Sequence, residues 1–300
     1  MAFPTETVYG LGACVFNEDA VAQVFTLKGR PTLNPLIVHV ASIQDAALVG
    51  AGWDDRCHRL ADKFWPGPLT IVTKKHSKIS SIVTGGRETV AVRAPSHQVA
   101  QSLLKAVGEP LVAPSANRSG HVSATTAQHV ADDFPDGPLM VLDGGATDVG
   151  IESTVVDLSG PTGSPITILR QGAILASDIA TVVGPVHVNQ TIHQGASPGT
   201  NAQHYAPCVP LQVVSGDQLE KILRHSKGCM VVLVFEMGNV PDPHTAMVMP
   251  TTPDAYGQIL YDQLRRGEAY DGIIVVEPPN NEQWGAIHDR LSRASVSVAH

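Results

Sequence analysis

The chain has 300 residues, 43% of them hydrophobic, and a formal net charge of -8 at pH 7. This length exceeds one average domain and predicts two, and the negative charge argues against broad non-specific binding to nucleic acid. Between Lys28 and Arg93, however, ten Lys and Arg stand against five Asp and Glu. That local excess of positive charge is compatible with an anionic ligand, or with an RNA contacted by one face.

The four cysteines, at positions 14, 57, 208 and 229, form no C-x-x-C pair. Their spacing argues against a disulfide framework or a zinc site and favours a reducing compartment. The longest apolar run, at 229–235, is too short to cross a membrane. The chain opens directly on a motif and shows no signal peptide. We therefore expect a cytoplasmic protein without a membrane partner, and an organelle stays compatible if a leader has been removed.

The first segment after a short initial strand, Pro4–Gly12, is rich in hydroxyl groups and ends in two glycines. Thr5, Thr7 and Tyr9 alternate, so an extended chain would place them on one face. Such a segment can line a pocket and donate hydrogen bonds to a ligand. The alternative is a plain connection built from small residues.

A helix is predicted at 18–27, with Asn17 as its N-cap and an apolar stripe along one side. It delivers Lys28 and Arg30 at its C-terminal end. A lysine point charge beside an arginine fork suits a polyphosphate. The alternative is a solvated basic helix end that complements the helix dipole.

Two predicted strands carry polar side chains. The strand at 36–40 carries His39, and the alternating strand at 89–93 places Thr89 and Arg93 on one face. An arginine in that position can clamp a carboxylate with two parallel hydrogen bonds. An ordinary surface cation at a strand end is the alternative.

A buried strand at 111–113 leads into a polar loop of small residues, 114–120. Ser115 and Asn117 offer a hydroxyl and an amide at the C-terminal edge of this strand. That edge is a common ligand position in α/β sheets.

The next helix is expected to take Ser123 or Thr125 as its cap and to run to Phe134. Its N-terminus, with free N–H groups, suits a phosphate, and a plain cap is the alternative. Further strands are predicted at 139–142, 151–157 and 166–169. The second of these strands carries Ser153 near its start, and the third delivers Arg170. Alternating strands and helices predict an α/β domain in this part of the chain.

The composition changes at Pro185, and the following stretch to Pro207 has no periodicity. It is interpreted as a linker, in which His204 and Tyr205 are more specialised than a spacer requires. Beyond it, strands are predicted at 210–214, 229–235 and 272–276, alternating with helices at 217–225, 254–266 and 284–293. This alternation predicts a small open parallel sheet, and no glycine fingerprint for a dinucleotide accompanies it.

Five segments occur in order: Pro4-Thr-Glu-Thr-Val-Tyr-Gly10, Lys28-Gly-Arg30 with Asn34-Pro-Leu-Ile-Val-His39, Val90-Ala-Val-Arg-Ala-Pro95, Ala113-Pro-Ser-Ala-Asn117 and Glu152-Ser-Thr154. Together they resemble the YrdC domain family. The linker and the second α/β domain are similar to its longer, two-domain members, the L-threonylcarbamoyladenylate synthases.

The resemblance implies an α/β fold, with a YrdC-like twisted mixed sheet and helices around a concave pocket. A smaller, Rossmann-like parallel α/β domain follows. We expect a catalytic domain at 1–185, a linker or lid at 186–207 and a C-terminal domain at 208–300. Relatives carry a helix and a strand before Pro4, so we also expect a less complete sheet here.

The resemblance further implies a reaction. L-threonine, bicarbonate and ATP give threonylcarbamoyl-AMP and pyrophosphate, with Mg²⁺ on the phosphates and no metal held by protein side chains. The product would feed N6-threonylcarbamoylation of the tRNA adenosine next to the anticodon, which a partner transferase completes. Direct binding of tRNA is left open.

The resemblance also assigns residues. Lys28 and Arg30 would be the catalytic cations that hold phosphates and stabilise the departing pyrophosphate. The nucleotide would contact Arg30, Asn34, Thr89, Ser115, Asn117, Ser123 and Arg170. Threonine would contact Thr7, His39, Arg93, Ala113 and Ser153, with Arg93 on its carboxylate and Ala113 through its backbone. Ser197, His204 and Tyr205 would form a lid. No general base is assigned, and His39 is expected to orient the ligand.

Two other functions stay open at this point. One is a non-catalytic RNA-binding module of the same fold, and the other is a carbamoyl-adenylate former that acts on another acceptor. The linker and second domain favour the synthase, because a closing lid is useful for a labile adenylate.

Overall fold

The computed structural model of the chain describes residues 1–137, 139–189, 205–237 and 240–295. The chain divides into two compact units. The first comprises Met1–Ser119 and Ser123–Asn201, and the second comprises Gly120–Val122 and Ala202–His300. Among the described residues, no helix is both long enough and apolar enough to cross a membrane.

The first unit contains seven helices and ten strands among its described residues. The helices are α1 Glu18–Lys28, α2 Ile43–Ala46, α3 Asp55–Phe64, α4 Ser81–Thr84, α5 Gln98–Val107, α6 Ala127–Asp133 and α7 Ala176–Val183. The strands are β1 Ala2–Phe3, β2 Gly10–Leu11, β3 Ala13–Cys14, β4 Ile37–His39, β5 Leu69–Lys74, β6 Thr89–Arg93, β7 Leu111–Val112, β8 Thr154–Asp157, β9 Ile166–Arg170 and β10 Val186–Val188.

Eight of these strands form one mixed sheet in the order β10-β9-β8-β5-β6-β4-β7-β3. The pairs β10/β9, β8/β5 and β6/β4 are parallel. The other four pairs are antiparallel. Strands β1 and β2 pair separately as a short antiparallel ribbon. The mixed α/β sheet expected from the sequence is confirmed.

The two faces of this sheet differ in character because strand side chains alternate. On one face, apolar side chains pack with residues of α1, α3 and α7 into two buried clusters. The opposite face has a small apolar patch of Ile37, Val72, Ala91 and Val155, with Leu169 against it. Strand alternation puts His39, Thr70 and Arg93 on this second face, which is called the front face below.

A β-bulge between β8 and β9 determines where Arg170 points. Val156 pairs with Ile168 and Val155 pairs with Arg170, which leaves Leu169 as the extra residue. With regular alternation, Arg170 would share the back face with Ile168. Because a one-residue insertion exchanges the faces of a strand, the bulge turns Arg170 to the front.

Helix α1 ends in a turn that positions both cations. Asn17 caps its N-terminus by accepting a hydrogen bond from the Ala20 backbone. Gly29 follows Lys28 with φ of 61°, a left-handed conformation that glycine adopts without a steric penalty. The Arg30 N–H donates back to the carbonyl of Phe25, so the chain reverses sharply between the two basic residues.

Two expectations for the segment 123–142 were wrong. Helix α6 is capped by Thr126, whose hydroxyl accepts from the His129 backbone, and not by Ser123 or Thr125. Residues 139–142 are not a strand. They exchange two hydrogen bonds with Ala2, and β1 is only two residues long, so the ladder has no room to extend.

Several elements were not predicted from the sequence. In the first unit these include β2, β3, α4, α7 and β10, and β8 begins at Thr154 rather than Ile151. Strand β10 falls where the composition had indicated the start of a linker. It is held as an edge strand by parallel pairing with β9.

The second unit contains strands β11 Leu211–Val214, β12 Met230–Val234, β13 Thr245–Val248 and β14 Gly272–Val276, with helices α8 Leu219–His225, α9 Pro253–Gly267 and α10 Gly285–Ala294. All strand pairs are parallel, in the order β11-β14-β12-β13. The central strands are apolar and buried, as sheets covered on both faces require. The expected parallel sheet is confirmed, with β13 as a strand that the sequence pattern had not revealed.

Candidate active site

Lys28 is the most buried cation near the turn after α1, with 3% of its surface exposed. Its Nζ donates hydrogen bonds to the carbonyls of Ser115 and Asn117, each at 2.5 Å. Burial first, and the nearby Arg30 second, hold the pKa of the Lys28 ammonium well below its ordinary value. An ammonium has three donors, so an anion can still be bound by the third.

Arg30 is also buried, and its guanidinium is oriented by the turn that it precedes. Its Nε and NH2 atoms donate to the carbonyls of Asn34 and Pro35, at 3.3 and 3.0 Å. Asn34 is half-buried. Two cations thus lie within a few residues of each other, inside the protein rather than on its surface. A solvated basic helix end would not need this burial.

Arg93, at the end of β6, stands in a second group of polar side chains. Its Nε donates to the carbonyl of Gly67 at 3.2 Å, and its NH1 donates to the hydroxyl of Thr7 at 2.8 Å. Its NH2 lies 2.8 Å from Oε1 of Glu6. Arg93 and Glu6 are 3% and 4% exposed, so this ion pair is inside the protein.

His39 is the neighbour of Arg93 on the adjacent parallel strand. Burial, with the charge of Arg93 as the second cause, lowers the pKa of His39 to about 3. The imidazole is therefore neutral at physiological pH. Its Nδ1 has no hydrogen-bond partner within the described part of the chain. The neutral ring meets Phe3 edge-on, with 6.2 Å between the ring centroids.

Ser153 and Arg170 are in direct contact on the front face. Arg170 NH2 donates to Ser153 Oγ at 3.0 Å, and Arg170 Nε donates to the Ser153 carbonyl at 3.0 Å. The hydroxyls of Ser153 and Thr70 are 2.7 Å apart. The structure thus brings together one residue expected to hold threonine and another expected to hold the nucleotide.

Ser123 is fully buried and donates a hydrogen bond to Oε1 of Glu152 at 2.6 Å. The carboxylate of Glu152 is near enough to Lys28 to raise the pKa of the ammonium, against the larger effect of burial. Glu152 directly precedes Ser153 in the chain. Glu152 therefore lies between Lys28 on one side and the pair formed by Ser153 and Arg170 on the other.

The remaining predicted residues lie on the same unit. Ser115 is half-buried in the loop that receives Lys28, and the side-chain amide of Asn117 donates to the Arg118 carbonyl at 2.8 Å. Thr89 is half-buried at the start of β6. Ala113 is buried, and its backbone N–H donates to Ile37 at 3.0 Å.

Three polar residues of this region were not singled out from the sequence: Glu6, Thr70 and Glu152. Glu6 and Glu152 fall inside the segments that carried the family resemblance, so their positions were a usable signal. Thr70 gave no signal, because a threonine in a strand is commonplace.

Of the expected lid residues, Ser197 and His204 lie outside the described residues. Tyr205 is buried in the second unit and has a left-handed backbone, with φ of 62°. Its ring stacks on Tyr261 at 5.7 Å between centroids, and the guanidinium of Arg290 lies 5.4 Å from the ring centre. A lid role for Tyr205 stays a prediction.

No group of three or more His, Cys, Asp or Glu side chains among the described residues could hold a metal ion. Apart from the carboxylates of Glu6 and Glu152, the polar side chains described above are mainly cations and hydroxyls. This set suits anions such as phosphate and carboxylate.

The comparisons with known proteins cover almost the whole chain. Residues 1–172 match the family described as "Telomere recombination", of the Sua5, YciO and YrdC proteins. Residues 174–296 match "Threonylcarbamoyl-AMP synthase, C-terminal domain". The threonylcarbamoyl-AMP synthase of Pyrococcus abyssi is 42% identical over 310 residues, which cover 98% of this chain and 90% of the relative.

The threonylcarbamoyl-AMP synthase of Bacillus subtilis is 44% identical over 310 residues, covering 98% of this chain and 89% of the relative. A crystal structure of P. abyssi Sua5 complexed with L-threonine has a TM-score of 0.89 to this chain at 34% identity. That alignment covers 98% of this chain and 89% of the other.

Proposed function

Because the chain belongs to the family of Sua5, YciO and YrdC proteins, we propose that it forms threonylcarbamoyl-AMP and pyrophosphate from L-threonine, bicarbonate and ATP. The observation that carries this proposal is the contact between Ser153 and Arg170 on the front face. One of these residues is expected at the amino acid and the other at the nucleotide, so their contact would bring the two substrates together.

The phosphate end of the reaction is assigned to Lys28 and Arg30. When the carbamate of threonine attacks the α-phosphate, negative charge moves toward the departing pyrophosphate. Buried cations stabilise such charge more strongly than exposed ones, because little water screens them. The carbonyls of Ser115 and Asn117 fix the Lys28 ammonium before the ligand arrives, so little reorganisation is needed.

The amino-acid end is assigned to Arg93, Thr7 and His39. Arg93 would hold the carboxylate of threonine, and its hydrogen bond from NH1 to Thr7 fixes the plane of its guanidinium. His39 would act as a neutral hydrogen-bonding group, because its pKa of about 3 keeps the ring uncharged. Ala113 and Ser153 would complete this site.

The nucleotide is assigned to the residues that the family resemblance implies for it: Arg30, Asn34, Thr89, Ser115, Asn117, Ser123 and Arg170. Catalysis here is largely a matter of holding two bound reactants in line. Arg170 would contribute by fixing Ser153 and the nucleotide at once. A bulge in β9 supplies that position, as described above.

Mg²⁺ is proposed to enter with ATP, held by its phosphates rather than by protein carboxylates. The basic and hydroxyl-rich lining fits this arrangement, because it would take a metal–phosphate complex and not a bare cation. When bound, the ion would neutralise phosphate charge, and the protein's own cations would hold the remaining oxygens.

The partners and the domain boundaries are also proposed from the family resemblance. The product would pass to a partner transferase that modifies tRNA, with direct tRNA binding left to experiment. The catalytic residues fall within 1–185, and we retain 208–300 as the C-terminal domain. We keep 186–207 as the linker except for β10, which belongs to the sheet of the first unit. The four cysteines are free thiols, which suits a reducing compartment such as the cytoplasm.

The direct test is identification of the product. The full chain is incubated with ATP, Mg²⁺, L-threonine and ¹³C-bicarbonate, and the mixture is analysed by mass spectrometry. We expect threonylcarbamoyl-AMP that carries one ¹³C atom. A carbamoyl adenylate formed only from carbamoyl phosphate would indicate a different acceptor. Absence of any adenylate, together with RNA binding, would indicate a non-catalytic module.

A further inference from the structure

Glu6 is a buried carboxylate that the assignments above leave unused. It lies between Thr5 and Thr7 and is 4% exposed, and its carbonyl accepts a hydrogen bond from Val149 at 2.8 Å. That bond fixes the backbone beneath the side chain. The carboxylate is therefore held inside the amino-acid end of the site.

The ion pair of Glu6 with Arg93 is incomplete. The two groups approach to 2.8 Å, but the contact does not have hydrogen-bond geometry. Within the described part of the chain, both carboxylate oxygens of Glu6 and the NH2 atom of Arg93 lack a hydrogen-bond partner. The two charges offset each other, but both groups keep hydrogen-bonding capacity inside the protein, so a ligand that used it would gain binding energy.

An amino-acid zwitterion has the charges that this pair needs. If its carboxylate binds Arg93, the negative charge of Glu6 loses part of its partner. A buried charge left alone is strongly unfavourable. The α-ammonium group of the same ligand can supply the missing positive charge, because the two ends of a zwitterion are only a few bonds apart.

We propose that Glu6 binds the α-ammonium group of the amino-acid substrate, so that Glu6 and Arg93 together recognise the zwitterion. This inference rests on the proposed function and extends it to a residue that determines specificity. Ligands with a carboxylate and a hydroxyl but no amino group would be discriminated against by the uncompensated charge of Glu6.

His39 and Thr7 fit the same arrangement. Arg93 contacts the carboxylate of Glu6, and His39 is next to Arg93 on the neighbouring strand β4. His39 is neutral, so it does not compete with the ammonium for the carboxylate. Thr7 already receives a hydrogen bond from Arg93, so it steadies the cation and leaves Glu6 to the ligand.

The experiment compares two ligands on two proteins. Binding of L-threonine and of its deamino analogue, (R)-3-hydroxybutanoate, is measured by calorimetry and competition without ATP or bicarbonate. The proteins are the wild-type chain and Glu6→Gln. Glu88→Gln is the matched control, because Glu88 is exposed and pairs only with Lys75 among the described residues.

We expect Glu6→Gln to weaken L-threonine binding by about ten- to a hundredfold. This is the usual loss of affinity when a hydrogen bond to a charged group is removed. Binding of the deamino analogue should be unchanged or tighter, since Arg93 loses its competing carboxylate. Glu6→Asp, which keeps the charge, should bind threonine better than Glu6→Gln and serves if Glu6→Gln does not fold.

Three results would overturn the proposal. Equal loss for both ligands would mean that Glu6 only supports Arg93. Unchanged threonine binding in Glu6→Gln would mean that Glu6 does not contact the ligand. If the wild-type chain itself fails to bind threonine, the proposed function falls together with this inference, and that outcome is distinct from the other two.

Discussion

Arg170 donates hydrogen bonds to both oxygens of Ser153, from Nε to the carbonyl and from NH2 to the hydroxyl, each at 3.0 Å. The two donors leave one planar guanidinium in parallel directions, so they fix Ser153 in orientation as well as in position. A substitution of Arg170 should therefore weaken the binding of threonine as well as the binding of the nucleotide.

Arg170→Lys is expected to raise KM for threonine and KM for ATP, each by about tenfold or more, while the fold is retained. A lysine keeps the charge but cannot donate the two parallel bonds. Initial rates with each substrate varied in turn measure both constants. Arg59→Lys, at an exposed arginine paired with Asp55, is the control. A change in only one of the two constants would contradict the shared role.

Lys28 should take up a proton when ATP binds. Burial and Arg30 hold its pKa low in the free protein, so part of the ammonium is neutral at alkaline pH. Bound phosphates favour the charged form and raise the pKa again. Calorimetry in buffers of different ionisation enthalpy measures this uptake, which should grow as the pH rises.

In Lys28→Arg the uptake should vanish, because arginine stays protonated throughout this range. ATP affinity should then lose its decline at alkaline pH, even though the altered geometry lowers turnover. Uptake that is the same in both proteins would assign the proton to another group.

His39 should destabilise the fold in acid. The pKa of His39 is about 3 in the folded chain and near 6.5 in the unfolded chain. Between these two pH values the imidazole is protonated in the unfolded chain but not in the folded chain. Stability contributed by the neutral ring is therefore present above pH 6.5 and is lost as the pH falls toward 3. Arg93 is the charged neighbour that opposes protonation.

Urea denaturation at pH 7 and pH 4.5 tests this linkage. The loss of unfolding free energy between pH 7 and pH 4.5 should be roughly 2–3 kcal/mol smaller in His39→Gln than in the wild type, because of the lowered pKa of His39. An identical loss in both proteins would show that His39 titrates normally.

Gly172 should not tolerate a side chain. A Cβ at this position would stand 2.4 Å from the Thr154 backbone nitrogen and 2.6 Å from the Glu152 carbonyl oxygen. Both are main-chain atoms that flank Ser153, so the segment would have to move. Gly172→Ala is expected to cost about 1–3 kcal/mol of stability and to weaken threonine binding.

The control is Gly216→Ala, because a Cβ there has no neighbour within 4 Å and the backbone is not left-handed. Thermal unfolding and threonine titration of both variants make the comparison. If Gly172→Ala binds threonine normally, the position of Ser153 is not what limits the site.

The sequence predicted the fold class and the parallel C-terminal sheet, because helical and strand periods were regular and caps such as Asn17 were in place. Its family resemblance also assigned residues that the structure brings into contact, such as Ser153 and Arg170. Short elements were harder to predict. Strand β13 is partly exposed, and β10 has only three residues at a sheet edge. Neither strand is long enough to show a recognisable alternation of apolar and polar residues.

Other features depend on contacts that no local pattern reveals. The bulge that turns Arg170 to the front face depends on how β9 pairs with β8. The hydroxyl of Ser123 does not cap α6 and is instead engaged by Glu152, a partner 29 residues away. A role for Glu6 is not predictable from the sequence, because it follows from the burial of Glu6 beside Arg93 and burial is a tertiary property.

The most direct test of the central claim is pyrophosphate release by the full chain with ATP and Mg²⁺, with threonine and bicarbonate added or omitted singly. The account predicts release only when both are present, and its loss in Lys28→Ala while the protein stays folded. Release from ATP without threonine, or undiminished release in Lys28→Ala, would contradict the claim that this buried site joins threonine to the nucleotide.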